Sequence, residues 1–278
     1  MASTRQYNPR AISLPRVGVM RLLSIVSLVL AGGLIAALGS MDSRTRGGAR
    51  PVTLLCAVAL SPAIERIVQD YEALTGETIR VRFGGSGVLL GDIRLGVNAD
   101  LYLPADASYL EQAGDLVHRS TALVRLTPVI AVRAGNPLHI STLEDLLRPD
   151  VRVGLADPNT AAVGRAARAA LRTANLWESI STRAVVFKPT VSDLATDVTI
   201  GTIDAAILWG QLARASDGIE QVRTPELDAI SRIAAIGRLD GPANDARVDR
   251  FVRYLRDPAA GLVRFAQLGY DTRVGDEQ

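Results

Sequence analysis

The 278-residue chain has one cysteine, two histidines, one lysine and few aromatic residues, 4% of the total. Cys56 alone forms no internal disulfide, and its place in the apolar run Val52 to Leu60 reads as a buried strand position. His118 and His139 stand far apart in polar, loop-like stretches. With no Cys, Asp or Glu at ligand spacing beside them, a zinc site has little support, and no metal or cofactor is expected. The sole lysine, Lys188, precedes Pro189 near a helix start, where a solvated side chain accounts for it and steering of an anion is the alternative. Scarce aromatics leave little to stack on bases. Charge argues the same way: the net is +2, residues 1–50 carry +6 from seven arginines and one aspartate, and that leaves −4 for the remainder. A mildly acidic globular part has no basic field for nucleic acid.

What the chain does have is apolar residues, 48% of its length, enough for a large core and, at this size, two compact units. One apolar run stands apart. Leu22 to Leu38 follows Arg21 without a charge, long for a signal-peptide core and just short of an ordinary spanning helix. Ala37-Leu38-Gly39 is an acceptable cleavage site, and Met20 is a plausible alternative start, since MRLLSIVSL reads as a compact signal peptide. Arginines on both flanks weaken any orientation argument. Residues 1–50 are therefore read as a signal peptide or an N-terminal membrane anchor plus linker, with the rest of the chain exported: periplasmic, or anchored outside the cytoplasm. No lipobox cysteine follows the run.

The chain is organised around Phe83 to Asp106, FGGSGVLLGDIRLGVNADLYLPAD: a strand end, a glycine-serine turn, a helix and a second strand. A strand that feeds through Gly84-Gly85-Ser86-Gly87 into a helix aims backbone N–H groups, the positive end of the helix dipole and one hydroxyl at a single point. Such a point suits an anion. Taken in isolation, a tight turn in which Ser86 merely caps the helix accounts for the stretch better. The arrangement recurs three more times, which favours the anion.

From residue 51 the periodicity predicts alternating strands and helices. Strands are expected at 52–58, 78–83, 99–104, 152–156, 184–187 and 204–209, and helices at 62–75, 87–95, 143–147, 162–173, 191–200, 243–255 and 257–268. The extended runs 126–132 and 230–239 read as crossings between two lobes. Alternation of this kind predicts α/β lobes with mostly parallel sheets flanked by helices, and ligands at the carboxyl ends of the strands. Lobe 1 is expected to comprise 51–128 and 236–278, and lobe 2 residues 129–235. Two lobes joined by two hinge crossings make a clamp.

Catalysis is not expected. Gly85-Ser86-Gly87 is close to a nucleophile elbow, but Val88 stands where G-x-S-x-G needs its second glycine, and neither histidine falls where the fold brings it to Ser86 as a base. The carboxylate pairs Asp92 with Asp100 and Asp193 with Asp197 read as solvated faces or caps.

The pieces Ala57-Val58-Ala59-Leu60-Ser61-Pro62, Phe83 to Leu89, Gly96 to Tyr102, Ala156-Asp157-Pro158 with Val163-Gly164-Arg165, Ile203 to Gly210, and Phe251 to Leu255 before Phe265 to Tyr270 follow one another in a familiar order. In these the chain resembles the periplasmic substrate-binding proteins of molybdate-type ABC transporters, with a type II periplasmic binding protein fold. The resemblance implies a binding protein that captures a small anion between its lobes and delivers it to a transporter permease. A molybdate- or tungstate-like oxyanion comes first; a membrane-tethered binding protein or sensor for a different, organic anion is the alternative. A monomer is expected. The family holds its oxyanion with serine hydroxyls, helix-start N–H groups and a tyrosine hydroxyl. Carried over, that implies Ser86 as hydroxyl donor, Ala59, Val163 and Val191 as backbone donors, and a place in the site for Ser61, Gly85 and Trp209. Two positions depart: Ala59 stands where the family has its first serine, and Trp209 where it has the tyrosine. Ser61 and Thr160 are the nearby hydroxyls that can compensate.

Overall fold

The structure, a computed structural model, describes residues 50–239 and 245–274; the expected signal or anchor segment lies outside them. Strand β1 (Val52–Ala57) is almost wholly buried, as its run VTLLCA dictates for a strand covered on both faces. A 3-10 turn, Val58–Leu60, leads into helix α1 (Ser61–Thr75), which buries Ile64, Ile67, Val68 and Tyr71 on one face. Pro62 sits in its first turn, where a missing N–H is harmless, and Gly76, at φ 70°, ends it in the left-handed conformation open to glycine. There follow β2 (Ile79–Gly84), α2 (Ser86–Arg94), β3 (Leu101–Leu103), α3 (Ser108–Ala113) and β4 (Val117–Leu126). The chain continues through β5 (Pro128–Arg133), β6 (Val153–Ala156), α4 (Ala162–Thr173), α5 (Trp177–Arg183), β7 (Val186–Lys188), α6 (Val191–Ile200), β8 (Ala205–Trp209), α7 (Gly210–Ala215) and β9 (Ile219–Val222). Helix α8 (Pro225–Asp228), β10 (Arg232–Leu239), α9 (Ala246–Arg256) and α10 (Gly261–Gln267) complete it.

The strands form two five-stranded sheets, β2-β1-β3-β10-β4 and β7-β6-β8-β5-β9. Both follow one plan. Three strands run parallel through βα units, a fourth pairs antiparallel with the last of them, and the fifth pairs antiparallel with the fourth. The chain is thus an α/β protein of two lobes with mixed sheets.

The first crossing occurs where the sequence places it, with Thr127 alone between β4 of one sheet and β5 of the other. The return runs from Val222 to Arg232 and includes α8. Residues 230–239 are therefore mostly β10, inserted between β3 and β4, and Arg232 to Ala235, expected in lobe 2, belong to the first sheet. His118 lies on edge strand β4 rather than in a loop, and residues 144–147 form a 3-10 turn.

The C-terminal helices close lobe 1. Helices α9 and α10 pack on α1, with Tyr71 edge-on to Phe251 and to Tyr254 at 5.1 Å. Tyr270, edge-on to Phe265, sends its hydroxyl to the carbonyl of Ala59 at 2.8 Å, so the segment after α10 fixes the peptide that follows β1.

Candidate ligand-binding cleft

Six strand ends lead into helical starts, and all six connections face one small cavity between the lobes. Lobe 1 contributes Ala57, Val58 and Ala59 after β1, Gly84, Gly85 and Ser86 after β2, and Ala105 after β3. Lobe 2 contributes Ala161, Ala162 and Val163 at α4, Thr190 and Val191 at α6, and Trp209 at the end of β8. Gly85 and Ala161 are the N-caps of α2 and α4, and neither has a side-chain oxygen to bond the first-turn N–H groups. Apart from the Gly87 N–H, which bonds across the cleft, those N–H groups have no partner inside their own helices and are left for the cavity's contents. Thr190 differs: its hydroxyl accepts from the Asp193 N–H at 3.3 Å and donates to the Asp193 carboxylate at 2.7 Å, so it caps its own helix.

Ser86 is 2% exposed. Its Oγ accepts a hydrogen bond from the Ala105 N–H at 3.1 Å, and its carbonyl accepts one from the Tyr102 hydroxyl at 2.6 Å. With the Oγ already an acceptor from the backbone, the hydroxyl proton is what it has to offer a guest. Burial, above all, pushes the Tyr102 phenol well above its ordinary value and keeps it a neutral donor that anchors the Ser86 peptide. Trp209 is 1% exposed and walls the opposite side.

Among the described residues no ionisable side chain lines the cavity. Lys188 turns away to pair with Asp197 at 3.1 Å, which removes it as a steering charge. Asp92 pairs with Arg82 at 2.6 Å, and Asp100 with Arg50 at the same distance, so the carboxylates singled out in the sequence have structural partners. The cavity measures about 10 Å³, against roughly 300–1,000 Å³ for pockets that hold drug-sized ligands. This is about the space of one water molecule, so the lobes meet more tightly here than around a bound oxyanion.

The lobes touch around this cavity. The Gly87 N–H of lobe 1 donates to the Thr160 carbonyl of lobe 2 at 2.9 Å. A Cβ on Gly87 would sit 2.4 Å from the Asn159 carbonyl oxygen, and one on Gly85 2.6 Å from that of Thr160. Glycine is required at both places by the approach of the other lobe's backbone.

Of the residues chosen from sequence, Ala59, Gly85, Ser86, Val163, Val191 and Trp209 come together at the cavity and Ser61 does not. Ser61 is the first residue of α1, its N–H bonded to the Val58 carbonyl. Nor does Thr160 line the cavity, so neither nearby hydroxyl replaces the ones missing at 59 and 209. The site residues chosen from sequence leave out Ala57, Val58, Gly84, Ala105, Ala161, Ala162 and Thr190. Each borders a strand-to-helix turn already identified, which is the signal that locates them.

The model of the family "Bacterial extracellular solute-binding protein" matches residues 52–264, well over half of the chain. The molybdate-binding protein ModA of Mycobacterium tuberculosis (strain ATCC 25618 / H37Rv) is 27% identical over 255 residues, which cover 88% of this chain and 95% of that protein. Among solved structures, the periplasmic molybdate-binding protein of Azotobacter vinelandii superposes with a TM-score of 0.69 at 15% identity, covering 79% of this chain and 98% of that one. PEB3 bound to L-phospholactate superposes at 0.65 with 20% identity, over 79% and 99% of the two chains. The two structural likenesses establish the type II periplasmic binding protein fold, and the family match establishes more: the chain belongs to the bacterial extracellular solute-binding proteins.

Proposed function

We propose that the protein is an extracytoplasmic solute-binding protein that closes on a compact tetrahedral oxyanion, molybdate or tungstate in the first instance, and presents it to an ABC transporter permease. The observation that carries this reading is the convergence of helix starts from both lobes on a cavity of about 10 Å³ without a charged side chain. Neutral, preorganised N–H donors stabilise an anion in a dry site, and selection then follows from size and donor geometry instead of from a counter-charge. Ser86 supplies a hydroxyl, Ala59, Val163 and Val191 supply backbone N–H groups, Gly85 allows the lobes to approach, and Trp209 supplies a wall or an indole N–H. No chemical step on the ligand is proposed. The molybdate-binding protein relatives support the choice of oxyanion.

The losses at 59 and 209 set the scale of the affinity. Each hydrogen bond to a charged group contributes on the order of 1.5–3 kcal/mol, so two missing hydroxyls weaken binding by roughly a hundredfold to ten-thousandfold unless the indole N–H replaces one.

A second reading is an organic anion held against the Trp209 ring, by a protein tethered through residues 1–50. Trp209 beside Ala59, Gly84 and Gly85 favours it, and the phospholactate complex of PEB3 is an example in the same fold. The molybdate-binding relatives weigh toward the bare oxyanion. A thermal-shift screen of molybdate, tungstate, sulfate, phosphate and small carboxylates separates the two. A ligand at a hundred times its Kd adds about 2.7 kcal/mol, enough to raise Tm by several degrees. A response to carboxylates alone selects the second reading.

A further inference from the structure

We propose a second anion site on lobe 1, apart from the interlobe cleft, that takes a multiply charged, phosphate-bearing anion. In the ladder between β4 and β10, Arg119 stands directly opposite Arg238, and Thr121 opposite Ile236. All four line one hollow on a single face of the sheet. Like charges directly across a ladder destabilise it unless a counter-charge answers one of them, as Asp249 does for Arg238. Helix α9 brings Arg253 and Arg256 to the same hollow from the other side. The one carboxylate on its wall, Asp249, pairs with Arg238 at 2.6 Å, and among the described residues Arg119, Arg253 and Arg256 have no ion-pair partner.

The result is a concentration of positive charge in a unit whose overall balance is acidic. The hollow measures about 340 Å³, far larger than the interlobe cavity, and Leu101 and Val252 give it an apolar floor. Guanidinium groups bind phosphate through paired N–H donors, and several placed around one cavity select for charge greater than one. A single halide or a lone carboxylate leaves most of these donors unanswered. A phosphate-rich group over an apolar base answers them, whether it comes from a soluble phosphate compound or from the headgroup of an anionic phospholipid.

The test is isothermal titration of the whole chain with inorganic pyrophosphate, repeated on Arg119→Gln/Arg253→Gln/Arg256→Gln and on Ser86→Ala. The expected result is binding that weakens by about a hundredfold or more in the triple variant and changes by less than about twofold in Ser86→Ala, which separates this site from the interlobe cleft. The triple variant should melt at or above the parent temperature, because it removes like charges; Arg256→Gln alone, with a loss of about tenfold, serves if it does not fold. Cosedimentation with phosphatidylcholine vesicles, with and without phosphatidylglycerol, distinguishes the sources. Phosphatidylglycerol-dependent binding that the triple variant loses, with pyrophosphate silent, assigns the site to a lipid headgroup. No binding of either probe, or binding that the triple variant keeps, overturns the proposal.

Discussion

Arg165 of lobe 2 lies over the ring of Tyr109 in lobe 1, its guanidinium carbon 4.4 Å from the ring centroid, and donates to the Ser108 hydroxyl at 3.2 Å. Together with the hydrogen bond from Gly87 to Thr160, this is a direct tie across the mouth of the clamp. A cation–π contact of this kind contributes roughly 0.5–2 kcal/mol, and on the proposed hinge closure it forms as the lobes meet. Arg165→Ala is therefore expected to weaken ligand binding by about 2- to 30-fold with little change in the melting temperature of the unliganded protein. Titration calorimetry and differential scanning calorimetry read the two effects separately, and equal losses in both would assign Arg165 to the fold and not to closure.

Gly87→Ala tests closure from the opposite direction. Position 87 is helical, so alanine suits its own backbone, yet the new Cβ would meet the Asn159 carbonyl oxygen at 2.4 Å across the cleft. Each lobe should keep its stability while the lobes are held apart. Small-angle scattering is expected to show no ligand-induced compaction in this variant, and its affinity should fall by at least about a hundredfold, more than one lost hydrogen bond explains. Retention of parental affinity would mean that binding does not use the closed arrangement.

Ser86→Ala removes one donor to the ligand and also leaves the Ala105 N–H without its acceptor. The first loss should reduce affinity roughly tenfold or more. The second costs about 1–3 kcal/mol of stability, a fall in Tm of a few degrees for a protein of this size, without loss of the fold. An affinity that does not change at all removes Ser86 from the site.

Acid titrates the scaffold and not the cleft. Among the described residues no lining residue is ionisable, so affinity for an anion of constant charge should stay flat from about pH 5 to pH 9. Stability behaves otherwise. Bidentate bonding to Arg152 holds the Asp204 carboxyl below its ordinary value, Arg247 does the same for Asp245, and Arg250 for Glu77. A carboxylate depressed in the folded state contributes stability in full above its unfolded pKa of about 4, and that contribution is lost as pH falls below it. Tm is expected to hold between about pH 5 and 8 and to drop below about pH 4, with a shallower acid limb in Asp204→Asn.

Much of this arrangement is legible in the sequence, for a physical reason. Buried parallel strands such as Val52 to Ala57 and Ala205 to Trp209 read as continuous apolar runs, and glycine and proline punctuate their turns, so elements and strand-end chemistry both emerge. The antiparallel strands are harder. β4, with His118 and Arg119 exposed at the sheet edge, has the polarity of a loop, and β10 is apolar enough to pass for a linker because its place between β3 and β4 is set by long-range pairing. At the site, Ser86 and the helix starts are visible from local pattern. The exclusion of Ser61 is not, since one residue of rotation into α1 carries its side chain away from the cavity.

The central claim is that a compact oxyanion binds between the lobes through Ser86 and the surrounding helix starts. The most direct measurement is isothermal titration of the parent chain, Ser86→Ala and Gly87→Ala with molybdate under identical conditions. The account predicts one site per chain in the parent, at least about tenfold weaker binding in Ser86→Ala and the largest loss in Gly87→Ala. Equal binding by all three proteins, or no molybdate binding by the parent, would contradict it.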